Sequence, residues 1–213
     1  MGPSLKDLFA IVVRPRETMR RILDSGSSRW TAQIVILAFI CTSIGDSDLR
    51  EMQRTLPGLA LMPTLATVIL ALLAGAVVWV LLLYLFAWGA TLVGRRLEGQ
   101  AAVADVRAAL AWGLVPLIWS AIIRIPLAIY RNRFILHGSE GRVLTSFIEQ
   151  GGCTFAILLL TVQLVVNAGV VVLASFCLAE ALRVPSWKGF ATIAITAAIP
   201  VVIAVAAVLA FKT

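Results

Sequence analysis

Residues that carry chemistry are scarce in this sequence. Its 213 residues include one histidine, two tyrosines and three cysteines, and only 14% of them are charged. His137 has no second histidine and no adjacent cysteine with which to complete a metal site, so it reads as a solvated residue in a connection. Cys41, Cys153 and Cys177 are far apart, each in or beside an apolar run, which argues against a disulfide framework and for small lipophilic side chains. Gly94 and Gly99 have the glycine spacing of a phosphate loop, but Gln100 and Ala101 stand where lysine and a hydroxyl residue would meet phosphate and magnesium. No zinc-protease helix motif or serine nucleophile elbow occurs, and the acidic residues avoid the middles of apolar runs. The sequence therefore predicts a protein that is not an enzyme and needs no cofactor or metal. A cleavable secretory leader is also not expected, because Arg14, Pro15, Arg16 and Glu17 interrupt the region where its apolar stretch would lie.

What the chain has in excess is apolar surface. At 61% hydrophobic residues it carries more than one small water-soluble core could bury, and the surplus must face lipid. The net charge of +7 takes its meaning from that setting. Basic residues lying between apolar stretches point to anionic lipid headgroups as partner, and not to nucleic acid.

The expected fold class is all-α: a polytopic membrane bundle of about five transmembrane helices behind an N-terminal amphipathic helix. Residues 1–28 form the amphipathic basic segment and 29–213 the transmembrane domain. Leu5, Leu8, Phe9 and Val12, then Met19, Ile22 and Leu23, recur at helical spacing, while Lys6, Arg14, Arg16, Arg20 and Arg21 supply candidate lipid-headgroup contacts. Each basic residue near an anionic leaflet contributes roughly 1 kcal/mol. Such a segment lies in the headgroup plane or packs, solvated, on the bundle. The five spans are placed at 30–44, 63–93, 103–123, 155–182 and 189–211. The first is short, about 22 Å at 1.5 Å per residue against a hydrocarbon core of about 30 Å, so a re-entrant or buried segment competes with a full crossing. The third is interrupted by Pro116, with an apolar continuation through Pro126 to Tyr130 turning along the interface. Pro200 lies inside the fifth, and both spans are expected to bend. Eleven Lys and Arg residues fall on the side of the N-terminus and seven on the other, which favours a cytoplasmic N-terminus and a periplasmic C-terminus.

Polar residues inside lipid are costly and draw attention first. Gln163 and Asn167 lie four apart and share one face of the fourth span, as the lining of a substrate path or as interhelical hydrogen-bond partners. Asp105, Arg107, Glu180 and Arg183 fall at the predicted cytoplasmic ends of spans three and four and form a candidate interaction cluster. Asp105 and Arg107, two apart, do not face each other on a helix. Ala71 with Gly75, and Ala104 with Ala108 and Ala111, permit close helix packing. The scattered tryptophans Trp79, Trp88, Trp112, Trp119 and Trp187 read as interfacial anchors or packing groups.

Three stretches, in this order, carry a resemblance. They are Leu8-Phe9 followed by Arg14-Pro15-Arg16-Glu17-Thr18-Met19; the Gly94 to Gln100 turn followed by Asp105 to Pro116; and Leu178-Ala179-Glu180-Ala181 ahead of Pro185-Ser186-Trp187. Together they resemble the Yip family of Ypt/Rab-interacting membrane proteins, in its bacterial branch. The resemblance implies five spans with a cytoplasmic N-terminus, and an association with Rab-type GTPases and membrane trafficking in eukaryotic members. The acidic-aromatic Asp-Leu-Tyr-Gly-Pro motif of those members is missing, so no functional residue is carried over. The reading is a non-enzymatic scaffold or adaptor of the inner membrane that contacts lipid headgroups and partner proteins or assembles with itself. A small-solute or lipid transporter using kinked spans three and five is the alternative.

Overall fold

A computed structural model describes residues 5–25, 30–46, 64–137 and 152–210, and every element among them is a helix. In chain order these are α1 (Leu5–Val13), α2 (Pro15–Asp24), α3 (Thr31–Asp46), α4 (Thr64–Arg96), α5 (Val103–Gly113), α6 (Val115–His137), α7 (Gly152–Leu182) and α8 (Ser186–Ala210). The loop charges Arg29, Arg50, Arg54, Arg142 and Lys212, which enter the orientation argument, lie outside the described residues.

Three stretches are long and apolar enough to cross a bilayer: Ile69–Arg96, Val103–Pro126 and Leu160–Leu182. Thr31–Ser43 and Ser186–Val202 are shorter apolar helices. The first, second, fourth and fifth expected spans thus appear as helices with ends shifted by up to three residues. The third differs more. It is two helices, and the break falls at Leu114, two residues before Pro116. Pro116 is the second residue of α6, where its missing N–H costs no intrahelical bond, so the proline begins a helix instead of kinking one. A tight turn, with the Leu114 N–H on the Ala111 oxygen at 3.0 Å and the Leu117 N–H on the Leu114 oxygen at 2.9 Å, joins the two. Helix α6 then runs through Pro126 to His137, which corrects two expectations: the chain does not leave the helix at Pro126, and His137 ends a helix and is not a loop residue.

Helix α5 and the start of α6 occupy the centre. The buried Trp112, Val115, Ala108 and Ala109 pack with Leu173, Cys177 and Ala181 of α7 and with Ile34 of α3. Close approach depends on small residues. A Cβ on Gly113 would stand 2.6 Å from the Ala174 Cβ, and one on Gly189 would stand 2.5 Å from the Ser175 carbonyl oxygen, so α5 and α8 meet α7 nearly backbone to backbone. Gly75 on α4 makes room in the same way for the Phe39 ring of α3.

The N-terminal helices join this core. Pro15 starts α2 in the first turn, the position where proline is tolerated best. One side of α2 sends Met19 and Ile22 into the same cluster as Trp112, together with Ile11 of α1. The apolar face of α2 is thus covered by protein. On α1, by contrast, Phe9, Val12 and Val13 remain exposed.

Candidate functional site

Two helix ends of identical construction meet at the end of the bundle next to α2. At the end of α4 the Glu98 N–H donates to the Arg95 oxygen and the Gly99 N–H to the Gly94 oxygen, with Glu98 in the left-handed region at φ 70°. At the end of α7 the Arg183 N–H donates to Glu180 and the Val184 N–H to Ala179, with Arg183 at φ 57°. Both are Schellman caps, and both place a charged residue where glycine is usual, at about 1–2 kcal/mol each. The Gln100 N–H donates to the Leu182 oxygen at 3.2 Å and ties one cap to the other. Leu182 sits against Gly94 and Gly99, where an added Cβ would approach its Cδ2 to 2.7 and 3.0 Å. The two glycines with phosphate-loop spacing are therefore parts of a helix stop.

Side chains then lace the turns together. The Lys188 ammonium donates to the Glu98 carboxylate at 2.6 Å and to the Leu97 carbonyl at 3.3 Å. The hydrogen bond from Lys188, with its positive charge, holds the Glu98 carboxyl below its ordinary pKa. Helix α2 is strapped across the end of α7: Arg20 places Nε and Nη2 on Oε1 of Glu180 at 2.8 and 2.7 Å, and Arg16 Nη2 donates to Ser186 Oγ at 2.7 Å. Arg21 binds Asp7 at 2.6 Å and fixes α1 to α2. Phe9 packs on Trp119 with ring centroids 4.1 Å apart and planes tilted by 40°, and the Trp119 indole donates to the Leu8 carbonyl at 3.3 Å.

Between α2, the α7 end and the start of α5 lies a cleft of about 630 Å³. Arg16, Arg20 and Arg183 line it with Asp24, Asp105 and Glu180, and Gln100 completes its polar wall. Charge of both signs is present in equal number. Of the residues singled out in the sequence, Asp105, Glu180 and Arg183 come together here. Arg107 does not join them: its guanidinium lies over the Tyr84 ring of α4, 4.5 Å from the centroid. Two residues along a helix is a rotation of roughly 200°, which sends Asp105 and Arg107 to opposite neighbours.

The five basic candidates for headgroup contact divide. Arg16, Arg20 and Arg21 are engaged within the protein, Arg14 stands 3.6 Å from Glu17 with both side chains exposed, and Lys6 is exposed. Gln163 and Asn167 bond to each other, Gln163 Nε2 donating to Asn167 Oδ1 at 3.0 Å, on the outer side of α7. Asp24, Gln100, Ser186 and the Lys188–Glu98 pair were not singled out in the sequence. The contacts of Gln100, Ser186 and Lys188 join residues 82 to 170 apart, beyond any local periodicity; Gly99, a glycine just past a helix end, is the local signal that could have pointed to a cap.

Long apolar helices packed through glycine and alanine, with charged turns gathered at one end, define an integral membrane helix bundle. A family model described as the Yip1 domain matches residues 9–209, and the chain belongs to that family. No curated protein and no solved structure gives a significant match.

Proposed function

We propose that this chain is a non-enzymatic membrane scaffold or adaptor of the bacterial Yip type, residing in the inner membrane with five crossings, the N-terminus cytoplasmic and the C-terminus periplasmic. The cleft between α2 and the two capped turns is its docking site, and that cleft carries the proposal. Beyond the Arg20–Glu180 pair, the groove holds Arg183 with Asp24 and Asp105, charges of both signs that suit a polypeptide segment bearing both better than a purely anionic headgroup. Lipid contact falls to the exposed basic residues at the same end, Lys6, Arg14, Arg95 and Arg96, each near an anionic leaflet adding roughly 1 kcal/mol. Counting α3 and α8 as crossings gives five: both are apolar, and both pack along α4. The transporter reading is less favoured, because among the described residues Asn167 is exposed on α7 and the half-buried Gln163 bonds to it instead of to another helix.

The test is photocrosslinking in cells from Asp24 and Gln100 in the cleft, with Leu81 on the exposed face of α4 as reference. A discrete protein adduct at both cleft positions, weakened by Arg183→Glu and absent at Leu81, is the expected result. Lipid adducts alone at all three positions, or solute flux above that of empty liposomes from the purified protein, would overturn the proposal.

A further inference from the structure

The outer face of α7 poses a problem that the monomer does not solve. Leu160 and Leu164 are each 61% exposed and Val171 is 38% exposed, and Asn167 stands among them, also exposed. The spacing of these four residues is four, three and four, the seam of a helix that packs lengthwise against another helix. If Glu180, bonded to Arg20, marks the headgroup level, a hydrocarbon core of about 30 Å takes in some 20 residues of α7 and puts Asn167 near its middle. A primary amide there faces a solvent that offers it no hydrogen bonds.

The bond between the two amides meets part of that need. It uses one donor of Gln163 and one acceptor site of Asn167. The two N–H donors of the Asn167 amide and the Gln163 carbonyl oxygen retain capacity, and no other partner is found for them among the described residues. Donor and acceptor surplus thus sit side by side on one exposed seam, and neither carries a charge that would call for an ion or a headgroup.

We propose that this face binds a second copy of the same chain, α7 against α7. Copies inserted with the same topology are related by a two-fold axis along the membrane normal, so the helices pack in parallel and each residue meets its own counterpart or a neighbour. The Asn167 amide of one copy then donates to the Gln163 or Asn167 oxygen of the other, and the symmetry repeats the bond. The pair is self-complementary, which a lone donor or a lone acceptor would not be. Leu160, Leu164 and Val171 supply the flanking contact, and the buried amides set the register, as a single polar residue does in an otherwise apolar helix pair. The cleft at the charged end takes no part, so two copies present two clefts on one side of the membrane.

The experiment uses the full chain in lipid bilayers, with Cys41, Cys153 and Cys177 changed to alanine and the thermal stability of the parent checked. Leu164→Cys is expected to form an oxidised homodimer efficiently, while Leu81→Cys, equally exposed on α4, does not. In dilution measured by energy transfer between labelled copies, Gln163→Leu combined with Asn167→Leu is expected to weaken dimerisation about five- to thirty-fold. Both replacements are apolar on a lipid-facing surface and leave insertion intact, which the unfolding midpoint of the same samples verifies. Equal disulfide yields at Leu164→Cys and Leu81→Cys, or an unchanged dimer affinity in the double variant, would overturn the proposal. So would a Leu164→Cys adduct made only with a different membrane protein.

Discussion

Helix α4 and the run of α5 into α6 are both apolar enough to cross a bilayer, with mean hydropathies of 2.7 and 1.8, and live in different surroundings. Only 6% of the most apolar 18-residue stretch within Ile69–Arg96 is buried inside the protein, against 61% for that within Val103–Pro126. Leu73, Val77, Leu81 and Leu85 of α4 face outward, whereas Val106, Leu110 and Trp112 of α5 are enclosed. In lipid both environments are apolar, so helix packing there follows size and shape more than hydropathy. Small residues are densest in the enclosed helix: α5 has Ala108, Ala109, Ala111 and Gly113 within six residues, and all four are buried.

Changes to the enclosed helix should therefore cost most. Gly113→Leu pushes a side chain into the Ala174 backbone, whose Cα lies 2.7 Å from the added Cβ, and should destabilise by about 3 kcal/mol, read as a large fall in the unfolding midpoint in detergent. The strap comes next. Arg20→Ala leaves Glu180, whose side chain is 15% exposed, without its guanidinium, at about 1 kcal/mol. Arg20→Glu should cost more, and Arg20→Glu with Glu180→Arg should recover part of the loss in a double-mutant cycle. A smaller effect follows pH at the Lys188–Glu98 pair. The Glu98 pKa is lowered in the folded protein, so the contribution of the pair is fully present above the ordinary carboxylate range and is lost as pH falls through the lowered value. A melting series from pH 7 down to acid should accordingly fall less steeply for Glu98→Gln than for the parent. Smallest of all is Leu81→Ala on α4: a side chain 62% exposed to lipid should change stability by less than about 0.5 kcal/mol. A loss comparable to that of Gly113→Leu would break the contrast between the two helices.

Much of this architecture was legible in the chain, for uneven reasons. Long apolar runs mark α4 and α7 directly, and Ala71–Gly75 and Ala108–Ala111 announced close packing. Pro116 marked the interruption of the third span, although the break itself falls at Leu114 and Pro116 lies in the first turn of α6. Of the four residues of the candidate cluster, Asp105, Glu180 and Arg183, all near helix ends, line one cleft. Arg107 shared their depth but not their direction, since its neighbour Tyr84 belongs to another helix. The strap was hidden for a different reason. Arg16 and Arg20 read naturally as contacts for headgroups, and nothing within a turn or two of them signals Ser186 or Glu180. Ion pairs between residues 160 apart are set by tertiary packing, which only the assembled bundle reveals.

The proposed docking face, α2 with the two capped turns, requires that both turns lie on the cytoplasmic side. Asp24→Cys and Gln100→Cys, probed with a membrane-impermeant thiol reagent in cells lacking the native cysteines, test it most directly. Both positions should stay unlabelled in intact cells and react alike once the membrane is opened, with Leu81→Cys silent throughout. Labelling of either position in intact cells, or of one without the other, would contradict it.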